Sequence, residues 1–419
     1  MSGATYSFMN TIPIRTSTSP PITKRFNTFW WAGYECTDQQ NAFGNRVDFM
    51  SLTGHLERLD DDYRDVARLN IRTVREGIRW SHVEKRAYVY DWTVVRSMLQ
   101  RGKALGIQQI WDICHFGYPD DLTPLHPMFA RRFAAICRAF VPIYRETYPD
   151  GPLVVTPINE VSFISWLGGD VRGTSPYCTR QGFEVKMGLI RAYVEGITAM
   201  REIDSKIVVM TTEPLVNMVP ALNATRSEIG NARAAHECQY QAVDMLLGRM
   251  NPELGGRPDM VDIVGVNFYY DNQWELPNHR VLPWANEGRD PRFRPLHQLF
   301  LEVYKRYRKP IVLSETSHPG IDRPKWIRMV ARECVKARQA GVPLEGVCLY
   351  PIIDRPDWDH FTPWHRAGLW DATRVGMDMA MGEKPGRYIY EPYAEALKQA
   401  QIIVEPVKKP DLVGQAVIS

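Results

Sequence analysis

The feature that most constrains this chain is an alternation repeated eight times: a short apolar or β-branched run, then a segment with helical periodicity. The runs fall at 28–34, 71–75, 107–113, 153–158, 206–212, 261–266, 310–314 and 344–350. The helical segments fall at 55–69, 93–105, 127–148, 182–203, 231–249, 296–307, 324–340 and 391–402. Apolar side chains recurring every three or four residues make one helix face, as Phe129, Phe133, Ile136, Cys137, Phe140, Val141 and Tyr144 do in 127–148. Eight strand–helix pairs in one chain predict an α/β fold, a (β/α)8 TIM barrel, whose usual size is about 250 residues. With 419 residues, the surplus is expected in the loops 34–55, 163–181, 268–295 and 351–390. An open doubly wound sheet is the competing architecture. It usually carries a Gly-rich phosphate turn after its first strand, and Ala32-Gly33-Tyr34-Glu35 is not one. No linker or repeat divides the chain, so one catalytic barrel is expected over 26–403, with a polar, Pro-rich N-terminal extension at 1–25 and a C-terminal tail at 404–419.

Composition excludes several classes of function. The chain is 44% hydrophobic and 24% charged, which is globular rather than disordered. Its formal charge of +3 is too near neutral for nucleic acid to be the main partner. The basic stretch from Arg323 to Arg338 reads as a solvated helix face. No apolar run approaches the roughly 18–20 residues that span a bilayer, and the N-terminus has no apolar segment of signal-peptide length. Seven cysteines without a CxxC pair fit neither a disulfide scaffold nor a zinc site. A cytoplasmic protein without membrane contact is expected, its oligomeric state left open.

In a barrel, chemistry gathers at the C-terminal ends of the strands. Arg75-Glu76 follow the second strand, His115 the third, Asn159-Glu160 the fourth and Glu213 the fifth. Asn267 and Tyr269 follow the sixth, Glu315 the seventh, and Asp354, Asp357 and Trp358 the eighth. Carboxylates and aromatic rings at one mouth suit carbohydrate: sugar C–H faces stack on rings, hydroxyls bond to Asn, His and Asp, and two carboxyl groups can cleave a glycosidic bond. That chemistry needs no cofactor, and a His-rich cluster of the kind that holds a metal is missing from the sequence.

Thr156-Pro157-Ile158-Asn159-Glu160 resembles the strand-four acid/base motif of glycoside hydrolase family 1 and its relatives in clan A. The resemblance runs in order along about residues 26–371. The segment from Phe29 to Gln39 is similar to that family's first strand, which ends in a sugar-binding Gln. Val74-Arg75-Glu76-Gly77-Ile78-Arg79-Trp80-Ser81 resembles its second-strand motif, and His115-Phe116-Gly117-Tyr118-Pro119 its His-Trp-Asp-x-Pro segment. The run from Asp262 to Tyr269 is similar to the sixth strand, and Lys309-Pro310-Ile311-Val312-Leu313-Ser314-Glu315 to the nucleophile strand. Ile352-Ile353-Asp354 with Trp358, then Arg366-Ala367-Gly368-Leu369, echo the closing motif.

The resemblance implies a retaining β-glycoside hydrolase, β-glucosidase-like and able to transglycosylate, with Glu160 as general acid/base and Glu315 as nucleophile. It implies substrate contacts from Gln39, Arg75, His115, Asn159, Asn267, Tyr269, Tyr350, Asp357 and Trp358, a glycoside as partner, and no cofactor or metal. Some positions depart from the family. Thr316-Ser317 stand where Asn-Gly normally follows the nucleophile, Tyr350 stands for a Trp, and Asp357 for a longer Glu that holds the far hydroxyls of a glucose-like ring. The catalytic pair is kept while the far edge of the sugar pocket is altered, so the chain reads as a distant relative. Glu76 and Glu213 read as supporting or rim charges, and Trp274 and Trp284 as aglycone contacts. The other class of function is a catalytically idle barrel that only binds carbohydrate or serves as a scaffold. Keeping both carboxylates speaks against it.

Overall fold

The computed structural model describes residues 25–285, 290–373 and 386–405. The expected N-terminal extension, apart from Arg25, and the expected tail, apart from Val404 and Glu405, lie outside the described residues. Seven strands are continuous: β1 Trp30–Gly33, β2 Thr73–Gly77, β3 Gln108–Cys114, β4 Val154–Ile158, β6 Val264–Asn267, β7 Ile311–Thr316 and β8 Leu344–Leu349. The fifth, β5, comes in two pieces, Val208–Val209 and Glu213–Pro214.

The two pieces decide the architecture. Val208 and Val209 pair with β4, while Met210 bridges Ile263, and Glu213 and Pro214 pair with Val266 and Asn267 of β6. Both ends of the sheet therefore belong to one segment of chain, and the order β5-β4-β3-β2-β1-β8-β7-β6-β5 closes into a parallel barrel. The open doubly wound alternative is excluded. Trp31, Ile110, Val154, Met210, Ile263, Val312 and Cys348, one from each of seven staves, pack together with Phe26 in a cluster of their own. Side chains from so many staves can meet only in the barrel lumen, where they make a packed core.

The strands are buried on both faces because helices cover the outside: β2, β4 and β7 are buried at every residue. The helices that follow the strands are α1 Leu59–Arg68, α2 Thr93–Leu105, α3 Phe129–Thr147, α4 Gly182–Arg201, α5 Arg226–Glu237, α6 Leu296–Tyr307, α7 Arg323–Gln339 and α8 Glu391–Val404. The face expected in 127–148 is buried in α3 as a whole. The fifth helix starts earlier than expected, where Thr225 and Glu228 cap it reciprocally, and continues through a tight turn into a short helix at Gln241–Leu246. On α7, Lys325, Arg332 and Lys336 are exposed as expected, but Arg323 is buried and ion-paired with Asp371.

All four expected loops hold regular structure. Phe49–Leu52 makes one helical turn in the first. A helix, Val161–Gly169, begins directly after Glu160. Gln273–Leu276 pairs with Asn217–Pro220 and with Arg280–Val281. Trp370–Thr373 pairs with Gly386–Ile389. Strands of two to four residues carry too little periodicity to stand out in a sequence. Among the described residues, no helix is long and apolar enough to cross a membrane.

Candidate active site

A cavity of about 540 Å³ opens where the strands end. Glu160 after β4, Glu315 at the end of β7, Tyr269 after β6 and His115 after β3 all line it.

Glu160 has a left-handed backbone (φ 44°, ψ 57°) between β4 and the following helix. Its amide donates to the carbonyl of Thr212 at 2.9 Å, and its Oε1 accepts from Asn267 Nδ2 at 2.8 Å. Burial, and then the negative charge of Glu315, push its carboxyl well above the usual range, with the Asn267 hydrogen bond opposing. Glu315 is held differently. Oε1 accepts from Arg75 Nη1 and Oε2 from the Tyr269 hydroxyl, each at 2.7 Å. The Tyr269 hydroxyl is itself pushed up by burial and then by Glu315, so it remains a donor.

Arg75 lies at the bottom of this arrangement with no exposed surface. Its donors reach Asp112, Glu315, the carbonyl of Ser314 and Asn159 Oδ1. Burial works against its charge, but Asp112 and then Glu315 outweigh it and hold the guanidinium protonated. Asp112 in turn is held below the usual carboxyl range: burial opposes its charge, and Arg75, then His115, prevail. His115 bonds to Asp112 through Nδ1 at 2.8 Å and lies near Asn159 and Tyr350 through Nε2. Ser314 Oγ donates to Asn267 Oδ1 at 2.7 Å, so one polar chain joins Glu160 and Glu315 to the barrel floor.

The expected site residues divide into three groups. Glu160, Glu315, His115, Tyr269, Tyr350, Asp357 and Trp358 line the cavity. Arg75, Asn159 and Asn267 are fully buried beneath it and reach the cavity only through the groups they hold. Gln39 departs from expectation. It is 1% exposed and not among the lining residues, and its Oε1 has no partner. The chain has left the rim by that point, and the carbonyl of Gln39 accepts from the amide of Val47. Its place is taken by Glu35, which follows β1 as closely as the other lining residues follow their strands; that closeness is the signal that could have found it. Phe163 and Arg355 also line the cavity. Trp274 lines it too, whereas Trp284 packs on Trp326 and donates to His318 Nε2 at 3.1 Å. Glu76 bonds His55 and Tyr63 rather than the cavity groups.

The ligand atoms of Cys36, Asp112 and His115 lie within 4.8 Å of one another. The trio fits a cation poorly. Asp112 already faces the guanidinium of Arg75 at 2.7 Å, and burial keeps the Cys36 thiol protonated.

No family model matches the chain, and no curated protein matches it. Solved structures do. The fold resembles a family 1 β-glucosidase from Thermotoga maritima with a TM-score of 0.70 at 14% identity, covering 91% of this chain and 98% of that one. The same enzyme in complex with cyclophellitol gives a TM-score of 0.69 at 15% identity, with coverages of 91% and 98%. The AHE enzyme from Alicyclobacillus herbarius gives 0.67 at 16% identity, covering 84% of this chain and 87% of that one. The chain therefore has the TIM-barrel fold of family 1 β-glucosidases at very low sequence identity.

Proposed function

We propose that this chain is a retaining β-glycoside hydrolase, a distant relative of glycoside hydrolase family 1. One observation carries the reading: a buried carboxyl held well above its usual range, Glu160, lines the same cavity as a carboxyl gripped by an Arg and a Tyr, Glu315. A double displacement needs that asymmetry. Glu160 protonates the leaving oxygen while Glu315 attacks the anomeric carbon, and the aglycone departs. Glu160, now ionised, takes a proton from water, which attacks the glycosyl ester from the original face and releases Glu315. Arg75 and Tyr269 hold Glu315 in line for attack, and Asn267 orients Glu160. Similarity to solved β-glucosidases supports a β-linked substrate. We assign the 26–403 segment to one catalytic domain and the protein to a reducing, cytoplasmic compartment, where its seven unpaired cysteines persist.

The two roles can be tested against each other with an activated aryl β-glycoside and azide. Glu315→Gly removes the nucleophile, so azide attacks in its place and gives the α-glycosyl azide. Glu160→Ala still forms the intermediate, and azide then displaces Glu315 to give the β-glycosyl azide. Opposite anomers by NMR are expected. The same anomer from both variants sinks the assignment, and a wild-type chain that turns over no aryl glycoside leaves only the carbohydrate-binding barrel.

A further inference from the structure

The far side of the cavity is built around an ion pair. Glu35 lies 2–4% exposed after β1, and its Oε2 meets Arg355 Nε at 3.0 Å. Its Oε1 accepts from the Thr37 hydroxyl (2.6 Å), the Thr37 amide (3.2 Å) and the Tyr350 hydroxyl (3.1 Å). Burial raises this carboxyl, but Arg355, His115 and Thr37 together hold it below its usual range. Glu35 is thus fully engaged as an anchor and has little left to offer a ligand. Asp357, the expected reader of distal hydroxyls, is held through one oxygen: its Oδ1 accepts from the amides of Asp359 and His360, each at 3.0 Å.

Arg355 has a donor to spare. Nε faces Glu35, and Nη1 donates to the carbonyl of Pro356 at 3.1 Å. Nη2 has no hydrogen-bond partner among the described residues. The guanidinium lies 5.0 Å from the ring centroid of Trp358, and both residues line the cavity.

Building on the glycosidase reading of this cavity, we propose that Arg355, braced by Glu35, selects the sugar: Nη2 donates to a hydroxyl on the glycone edge remote from the scissile bond, beside the apolar platform of Trp358, and the site takes neutral sugars in preference to anionic ones. A carboxylate or phosphate on that edge would want a two-point contact with the guanidinium. Two of its three nitrogens are already engaged, its charge is matched by Glu35, and Asp357 and Asp359 line the same cavity. A single neutral acceptor fits; an anion meets repulsion.

The experiment compares kcat/KM for 4-nitrophenyl β-glucoside, β-galactoside, the 4-deoxy and 6-deoxy glucosides, β-xyloside and β-glucuronide in the wild type, R355A, R355K and E35Q. In the wild type, removing one hydroxyl should lower kcat/KM about ten- to a hundredfold, the scale of a hydrogen bond to a charged group. Arg355→Ala should lose the same factor on the parent glycoside and nothing further on that deoxy sugar. Glu35→Gln should show the same pattern more weakly, chiefly in KM, which keeps the inference testable if R355A fails to fold. R355K, a less directional donor, should fall between. The glucuronide should be the poorest substrate of the set. Equal losses in R355A on every sugar, or a glucuronide cleaved as well as the glucoside, would overturn this inference while leaving the glycosidase reading intact. A wild type inert to the whole panel would instead overturn the glycosidase reading.

Discussion

At the scale of single residues, Glu160, the proposed acid/base, is held by its neighbours on the barrel rim. A left-handed backbone at a non-glycine residue costs about 1–3 kcal/mol and persists where surrounding contacts impose it. At Glu160 those contacts come from β5: the Thr212 carbonyl takes the Glu160 amide, and Glu213 Oε2 takes the Ser162 amide at 3.1 Å. From sequence, Glu213 reads as a rim charge, because nothing local ties it to Glu160. In the fold it caps the helix that begins at Val161 and is a second nearby carboxyl, after Glu315, raising Glu160. Lys186 on α4 is the cation facing Glu213, its amine lowered by burial. Glu213→Gln keeps an acceptor and removes the charge. Glu160 should then lose its proton more easily, so the alkaline limb of the kcat/KM profile should move to lower pH. Glu213→Ala should shift the limb likewise and also lose roughly 1 kcal/mol of stability with the cap. An unmoved limb in the Gln variant would show that Glu213 acts only as a cap.

Among elements, the seam between β1 and β8 sets the floor of the cavity. A Cβ at Gly33 would lie 2.1 Å from Cδ2 of Tyr350. Tyr350 fills the space a side chain on β1 would need, and its hydroxyl reaches Glu35. Gly33→Ala should therefore displace the ring, destabilise the protein by about 1–3 kcal/mol as overpacking does, and raise KM. Gly230, exposed on α5 with open space where a Cβ would lie, is the control: Ala there should be neutral or stabilising by up to about 1 kcal/mol. Thermal unfolding reads both, and a Gly33→Ala protein as stable as the wild type would refute the seam argument. Elements long enough to show their period, such as α3, were legible from the sequence. The helix after Glu160 and the small sheet at Gln273–Leu276 were not, since tertiary contacts rather than periodicity make them.

For the molecule as a whole, the proposed active site is expected to lower stability in a pH-dependent way. Glu160 is raised in the folded state, so ionising it disfavours folding: its contribution is fully present below the unfolded carboxyl pKa and is lost as pH rises through the folded value. Glu160→Gln should therefore leave Tm unchanged in acid and raise it increasingly toward neutral and alkaline pH. A constant difference across pH would contradict the raised carboxyl. The alternation of eight strands and helices, and the carboxylates closing the fourth and seventh strands, were determined by the sequence alone. Periodicity is a local property, and in a parallel barrel every strand end falls at one mouth. Closure and pocket lining were decided by the tertiary structure. The two pieces of β5 close the sheet only by pairing with different neighbours. Glu35, not Gln39, lines the cavity because it meets Arg355 and Tyr350 from the other end of the chain, and contacts so distant in sequence leave no local pattern to read.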